Sequence, residues 1–287
     1  MNNTIIDILS LDTVFLSYDE PNREENWAKL LDIQPNAKRV DRVNGLATAH
    51  RAAAQASSTD RYLLVTGDTV PDKSFFEQQL VLNEDNINHV FIWKTRNNIN
   101  GLTYNNSGLS CRIKESIKPQ EIANYKDMYD CYSTHCISAT AFQAWSTGFK
   151  QAVNLSLDNG QRPTVDKFKQ QISQKNLDDL SVWHNVGRDV DNGIWSMLGA
   201  RMATYMLMIT PTWDYQEAED AESLKNLWLN IDGHDPEHIL GRIAPDLINQ
   251  LNLPIVMLDE KASGFFKNYY RQTRVNKGIM LTEADVI

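Results

Sequence analysis

The clearest pattern of apolar and polar positions lies in residues 61–72. The apolar run from Tyr62 to Val65 is typical of a buried strand, and the polar turn after it carries Asp68. Pro71 cannot donate to a strand ladder, so the strand is predicted to end before it. Ligands of open α/β sheets bind beyond the carboxyl ends of the strands. Asp68 is therefore predicted to lie at a binding edge.

Earlier apolar segments place this strand third in a series. Residues 13–18 form an apolar strand, and a helix follows Asn22, which is predicted to cap it. A short strand over residues 37–43 precedes the alanine-rich segment 46–56, which has high helix propensity. The order β-α-β-α-β predicts an α/β fold with a Rossmann-like, mainly parallel sheet flanked by helices.

The rest of the chain changes character from strands to helices. A helix is predicted over residues 74–82, strands over residues 89–95 and 109–113, and a core helix over residues 194–208. Beyond Pro211 the pattern is mostly helical. We therefore predict a sheet domain over residues 1–208 and a helical C-terminal extension over residues 209–287.

Composition excludes several classes of protein. Among the 287 residues, no apolar run reaches the ~20 residues that span a bilayer, and the N-terminus lacks a secretory signal pattern. A cytoplasmic location is expected. The three cysteines show no metal-binding spacing. The net charge of −9 gives no general attraction to nucleic acid, so a polyanionic partner would need a local basic patch.

Three loops at strand ends should converge: residues 17–22, 44–45 and 66–72. Together they supply hydroxyls, carboxylates and backbone N–H groups, which suit a nucleotide's base, ribose and diphosphate. Turn and capping roles for Asp19, Asp68 and Asp72 explain the same residues equally well.

Several ordered motifs carry a family resemblance. They are Phe15-Leu16-Ser17-Tyr18-Asp19-Glu20-Pro21-Asn22 with Glu25-Asn26-Trp27, Ala37-Lys38-Arg39-Val40, the 45–54 helix with His50, Trp93 to Tyr104, Lys126-Asp127-Met128, and Trp183 with Val186-Gly187 and Gly199-Ala200-Arg201. In this order and spacing, over residues 14–201, the chain resembles GT-A type glycosyltransferases found in tailed bacteriophages.

The resemblance implies a glycosyltransferase that uses a nucleotide-sugar donor, a UDP-sugar in the simplest case. The implied donor-binding residues are Ser17, Tyr18, Asp19, Glu20, Asn44, His50, Thr66, Asp68, Lys94 and Arg96. It also implies a divalent cation, Mn²⁺ or Mg²⁺, held by an Asp-x-Asp motif. The chain has Thr66 where the first aspartate is expected, which leaves Asp68 as the metal ligand and puts metal dependence in question. A non-catalytic nucleotide-sugar-binding module and a sugar nucleotidyltransferase are the alternatives.

Lys94 and Arg96 alternate with Trp93 and Thr95 at the end of a predicted strand and so share one face. Two cations there could neutralise a diphosphate leaving group. A solvated strand edge that discourages pairing explains them equally well.

The catalytic base has two candidate pairs. Asp127 and Asp130 lie in a segment with His135, and Asp189 and Asp191 precede the core helix. Surface acids and a helix N-cap are the respective alternatives. A Cys131/His135 nucleophile pair lacks a supporting third group.

Two further segments have ligand-type residues. The run from Asp232 to His238 has metal-ligand residue types, but Pro236 and Glu237 explain it better as a helix start. Residues 261–277 interleave cations with aromatic rings, which suits nucleic acid or an amphipathic helix. Because some such phages glycosylate hydroxymethylated bases of their own DNA, the resemblance makes DNA a candidate acceptor, with Lys267, Arg271, Arg274 and Lys277 as its candidate contacts.

Overall fold

The computed structural model describes residues 3–114, 124–210 and 212–273, with side chains in the last helix described up to residue 267. These residues form two compact units. The first lies within Met1–Asn98 and Thr103–Cys136, and the second within Ile99–Leu102 and Ile137–Ile287. The boundary predicted after residue 208 falls inside the second unit. The assignment of residues 1–208 to a catalytic domain stays a prediction.

The first unit is an α/β structure that begins with the predicted order of elements. Its helices are α1 (Arg23–Ile33) and α2 (Leu46–Ala56). Its strands are β1 (Thr4–Asp7), β2 (Asp12–Ser17), β3 (Lys38–Asp41), β4 (Arg61–Thr66), β5 (Thr69–Pro71), β6 (Gln79–Leu82), β7 (His89–Asn97), β8 (Thr103–Tyr104), β9 (Leu109–Ile113) and β10 (Asn124–His135). The predicted series β2-α1-β3-α2-β4 is confirmed.

The main sheet has the strand order β3-β2-β4-β9-β7-β10-β5, and β8 pairs with β7. Strand β2 is parallel to β3 and β4, and β10 is parallel to β7. Strand β9 is antiparallel to both β4 and β7, and β5 is antiparallel to β10. The sheet is therefore mixed but largely parallel, and the carboxyl ends of β2, β3, β4, β7 and β10 point the same way.

The central residues of strands β2 (14–16) and β4 (62–65) are apolar because both faces of the sheet are covered. Phe15 and Val65 pack in one buried cluster, and Leu16 and Leu64 pack on the opposite face in a second. Helix α2 contributes Ala53 to that second cluster. This double burial fixes the register that brings the polar strand ends to one edge.

The helix predicted over residues 74–82 is wrong. A 3₁₀ turn spans Lys73–Glu77, and residues Gln79–Leu82 form β6, which pairs antiparallel with β1. Leu80 and Leu82 are buried while Gln79 and Val81 are exposed, which is the period of two of a strand. The pairing partner lies about 75 residues away in sequence, so the local pattern alone did not indicate it.

The second unit is helical. Its helices are α3 (Ala141–Leu155), α4 (Phe168–Gln171), α5 (Gln174–Asn185), α6 (Gly193–Ile209), α7 (Ala221–Leu229), α8 (Pro236–Leu251) and α9 (Glu260–Thr273). Helix α6 confirms the predicted core helix, and α7 to α9 confirm the helical C-terminal part as far as residue 273. Within the described segments of the chain, none of the helices has the length and apolar character that crossing a bilayer demands.

Helix α6 also carries buried polar side chains. The guanidinium of Arg201 is fully buried and donates to the backbone oxygens of His184 (3.0 Å) and Val256 (3.1 Å). Burial, with a contribution from the positive charge of Arg188, lowers the pKa of Arg201 to about 10. Arg201 therefore stays charged at neutral pH and ties α6 to the end of α5 and to the segment before α9.

We expect the folded state to lose stability as the pH falls below 6.5. Burial, and secondarily the positive charge of Arg201, lowers the pKa of His184 to about 3, whereas an unfolded histidine titrates near its model value of 6.5. Below pH 6.5 His184 is protonated in the unfolded state but stays neutral in the folded state. The free energy of unfolding therefore decreases as the pH is lowered. From pH 7 to pH 5, His184 alone should lower the free energy of unfolding by about 2 kcal/mol.

Urea unfolding at pH 7 and pH 5 measures this loss. Replacing His184 with Gln, which keeps a polar group near Thr204, should reduce the difference between the two pH values. An unchanged pH dependence in His184→Gln would contradict the assignment.

Candidate functional site

A cavity of about 270 Å³ opens where β2, β3 and β4 end. Its wall is apolar and its rim is polar; it is lined by Leu16, Ser17, Tyr18, Glu20, Val43, Gly45, Leu46, Ala49, His50 and Thr66. Parallel strands deliver their carboxyl ends to one edge, which explains why three loops distant in sequence share it. The predicted convergence of these loops is present.

Tyr18 forms the exposed lip of the cavity. Its side chain is 46% exposed, and its hydroxyl donates to Oδ1 of Asn44 at 2.7 Å. This bond joins the loop after β2 to the loop after β3. An aromatic ring held over an apolar slot is a suitable stacking surface for a planar base.

Ser17 is hydrogen-bonded to a charged cluster formed by Asp41, Arg23 and Arg39. Its hydroxyl donates to Oδ1 of Asp41 at 2.6 Å, and Asp41 lies within 4 Å of the guanidinium groups of Arg23 (3.7 Å) and Arg39 (3.5 Å). The hydroxyl hydrogen of Ser17 is thus committed to the protein. Its oxygen already accepts from Nη2 of Arg39 at 3.4 Å, which leaves one lone pair toward the cavity.

Glu20 bends back over the turn after β4. Its Oε2 accepts from the backbone N–H of Tyr18 at 2.7 Å, and a Cβ placed on Gly67 would lie 2.5 Å from the same oxygen. Burial raises the pKa of Glu20, and the negative charges of Asp68 and Asp19 raise it further. A side chain at position 67 would therefore displace the carboxylate of Glu20.

Asn26 completes the support of this turn. It is 1% exposed, and its Nδ2 donates to the backbone oxygen of Gly67 at 2.9 Å. In the sequence, Asn26 stands out only as part of the Glu25-Asn26-Trp27 motif, which does not indicate this contact. Asn22, predicted to cap that helix, makes no side-chain cap and instead donates to the backbone oxygen of Cys136.

Asp68 accepts hydrogen bonds from three side chains. Thr66 Oγ1 donates to Oδ1 at 2.7 Å, Thr69 Oγ1 lies 3.3 Å from the same oxygen, and Nε2 of His135 lies 3.0 Å from Oδ2. The other ring nitrogen of His135, Nδ1, lies 2.6 Å from the hydroxyl of Tyr104. Thr66, Asp68, His135 and Tyr104 thus form one continuous hydrogen-bonded chain, which we call the Asp68 chain.

The environment of Asp68 keeps it ionised. Burial raises its pKa, but the charge and hydrogen bond of His135 and the hydroxyl of Thr66 outweigh burial and lower the pKa to about 2. A carboxylate ionised at every physiological pH is a permanent acceptor. The Asp68 chain therefore persists across that range.

His50 faces the cavity from helix α2. Burial, together with the nearby charge of Arg112, lowers its pKa to about 4, so the ring is neutral at pH 7. Its Nδ1 is buried without a hydrogen-bond partner among the described residues. An imidazole in this state offers a polar edge in an otherwise apolar wall.

The remaining predicted donor-binding residues lie elsewhere. Asp19 is exposed and does not line the cavity. In the register of β7 and β10, Asn97 pairs with His135 and Arg96 pairs with Thr134. Because successive strand residues point to opposite faces, Lys94 and Arg96 lie on the face of the sheet opposite to His135. The ammonium of Lys94 sits 5.6 Å from the ring of Tyr129. Their role at a diphosphate stays a prediction.

The predicted bases of β10 are distant from the Asp68 chain. Asp127 and Asp130 are exposed. At about 3.3 Å per residue along a strand, Asp130 lies roughly 15 Å and Asp127 still farther from His135. The structure therefore does not bring either carboxylate to the cavity, and their catalytic role stays untested.

The second unit holds the other candidates. Asp189 forms an ion pair with Lys267 at 2.6 Å, and Asp191 is exposed. Lys267, a predicted DNA contact, is thus engaged inside the protein. Arg271 lies in α9, but its side chain is outside the described part, and Arg274 and Lys277 are beyond the described residues. Asp235 caps α8 by accepting from the N–H of Glu237, which confirms the helix-start interpretation of that segment.

His135 and Tyr104 are the functional candidates that sequence reasoning missed. The sequence indicates His135 only as a partner of Cys131, and Tyr104 only as a motif residue. Their meeting depends on the pairing of β10 and β8 with β7. No local pattern in the sequence reports that pairing.

The residues at the strand ends do not form a ready cation site. Over residues 3–114, 124–210 and 212–273 no group of three His, Cys, Asp or Glu could hold a metal ion. The expected first aspartate is Thr66, and both oxygens of Asp68 already have partners. These residues do not fit the divalent cation that the resemblance implies, and we derive no chemical step through one.

Comparison with known proteins adds little. No protein-family model and no curated protein matches the chain. Among solved structures, the chain is similar to the crystal structure of HddC from Yersinia pseudotuberculosis at 15% identity and a TM-score of 0.26, over 44% of this chain and 74% of HddC. A similarity at that TM-score supports no inference about structure or activity.

Proposed function

We propose that this protein is an enzyme of nucleotide-sugar chemistry that binds the nucleoside in the cavity at the ends of β2, β3 and β4. The observation that supports the proposal is the cavity itself. It combines an apolar slot, an aromatic lip at Tyr18 and polar rim groups at Ser17, Glu20 and Thr66. Ligand pockets of enzymes are mostly apolar with a few placed polar groups.

The size of the cavity suits the nucleoside part. Its volume of about 270 Å³ lies just below the ~300–1,000 Å³ typical of drug-sized ligand pockets. We infer that the base lies between Tyr18 and the apolar wall of α2. The diphosphate and sugar would then extend past Thr66, out of the apolar slot.

The proposed reaction is transfer of the sugar to an acceptor hydroxyl, with a UDP-sugar as donor. A sugar nucleotidyltransferase would use the same nucleoside cavity but would release pyrophosphate from a nucleoside triphosphate and a sugar phosphate. A non-catalytic module would bind the donor without turnover. DNA as acceptor stays a prediction, to which the ion pair of Lys267 with Asp189 gives no support.

Calorimetry with UMP, UDP and UDP-glucose tests nucleoside binding. Base–aromatic stacking contributes roughly 1–3 kcal/mol per base, so Tyr18→Ala should weaken UDP binding by about 10-fold. Tyr125→Ala is the matched control, because Tyr125 is also exposed, at 57%, and does not line the cavity. Equal effects of the two changes, or no binding of any uridine nucleotide, would contradict the proposal.

Product analysis then distinguishes the reactions. Incubation with UDP-sugars should release UDP and free or transferred sugar. Pyrophosphate release from UTP and a sugar phosphate would identify the nucleotidyltransferase. Binding without either product would identify the non-catalytic module.

A further inference from the structure

Asp68 is nearly saturated as a hydrogen-bond acceptor. An ionised carboxylate offers about four lone-pair positions. The hydroxyls of Thr66 and Thr69 approach Oδ1, and the imidazole of His135 approaches Oδ2. A cation bound to Asp68 would have to share or displace these donors.

The direction of the hydrogen bonds along the Asp68 chain follows from the carboxylate. Since a carboxylate only accepts, Nε2 of His135 must carry the hydrogen that is shared with Oδ2, in either protonation state of the ring. Asp68 therefore sets the orientation of the imidazole, and the opposite nitrogen meets the hydroxyl of Tyr104. At the other end, Thr66 donates to Asp68 and lines the cavity.

A hard divalent cation prefers several oxygen ligands, and Mg²⁺ requires six in near-octahedral geometry. The hydroxyl of Thr66 lies next to Asp68, but its hydrogen is already donated to that carboxylate. Glu20, the nearest acid at the cavity rim, accepts from the N–H of Tyr18 through Oε2. The polar groups around Asp68 are thus arranged to satisfy one another.

We propose that the carboxylate of Asp68 positions His135 and the cavity-wall residue Thr66 instead of binding a divalent cation, and that the protein binds its nucleotide without such a cation. The first half does not depend on the proposed function, because it concerns only contacts within the protein. The second half rests on the proposed function, because it requires that the cavity accept a nucleotide.

Manganese alone tests the first half. We expect titration of the full-length chain with Mn²⁺, followed by electron paramagnetic resonance, to show no binding that depends on Asp68. The matched variant is Asp68→Asn, which keeps the size of the side chain and removes its charge. A manganese site present in the unchanged protein and lost in a folded Asp68→Asn would overturn the proposal.

A second measurement needs no variant at position 68. In the unchanged protein, Mn²⁺ bound at Asp68 would broaden the imidazole NMR signals of His135, which His135→Gln assigns by their disappearance. Unbroadened signals at millimolar Mn²⁺ support the proposal, including the case in which the ion binds elsewhere. Selective broadening of the His135 signals overturns it.

Nucleotide affinity tests the second half. The dissociation constant of UDP should differ by less than fivefold between buffers with EDTA and with Mn²⁺, and an increase in affinity of fivefold or more with Mn²⁺ would overturn metal independence. If no uridine nucleotide binds in either buffer, the proposed function fails along with the second half. The manganese titration still decides the role of Asp68 in that case.

Discussion

Replacing Ala49 with Phe should abolish nucleotide binding, with a loss of affinity on the order of 100-fold or more, because the ring would occupy the slot that the base needs. Ala49 lies on α2, is 8% exposed and lines the cavity. The change removes no hydrogen bond and leaves Tyr18, Glu20 and Thr66 in place. Calorimetric titration with UDP measures the loss.

The matched control is Gln55→Phe, which adds the same ring to an exposed position of α2. Its UDP affinity should equal that of the unchanged protein. Circular dichroism should show that Ala49→Phe is folded, since overpacking costs ~1–3 kcal/mol. Unimpaired UDP binding by a folded Ala49→Phe would place the nucleotide elsewhere.

The largest effect on stability is expected from Gly199→Ala. A Cβ at this position of α6 would lie 2.0 Å from the backbone oxygen of Trp145 in α3, and at Gly148 of α3 it would lie 2.2 Å from the backbone oxygen of Ser196. The two helices thus approach each other through reciprocal glycines. A backbone oxygen cannot move without the rest of its helix, so the two helices must separate to admit the methyl group. We expect the free energy of unfolding to fall by about 3 kcal/mol or more.

Gly241→Ala provides the comparison. Gly241 also lies inside a helix, α8, but a Cβ there meets nothing within 4 Å. Alanine is favoured over glycine in a helix by ~1 kcal/mol, so Gly241→Ala should stabilise the protein slightly. Urea unfolding measures both variants, and equal stability of the two would contradict the close approach of α3 and α6.

The two expected effects differ in what the sequence could indicate. The position of Ala49 near a binding edge follows from the predicted order β2-α1-β3-α2-β4. The glycine contact between α3 and α6 does not follow from any local pattern. Gly148 and Gly199 each sit in an apolar helical segment, where a glycine alone indicates neither partner nor distance.

The candidate site shows the same division. Ser17, Tyr18, Glu20 and Thr66 were predicted to meet because parallel strands end at one edge, and they line one cavity. His135 and Tyr104 were not predicted to join Asp68, because their approach depends on the register of β10 and β8 against β7. Strand β10 contains two register shifts, and a shift of one residue would turn His135 to the other face.

The pattern of apolar and polar residues is sufficient to predict which segments are buried and where polar residues interrupt them. The periodicity of apolar residues is a local property of the sequence. The apolar runs of β2 and β4 and the apolar stripes of the helices could therefore be predicted from it. The contact of Asp68 with His135, rather than with a second carboxylate, follows only from the fold, because it joins residues 67 positions apart. Pairings between distant strands are selected by the packing of the whole sheet, which no local pattern encodes.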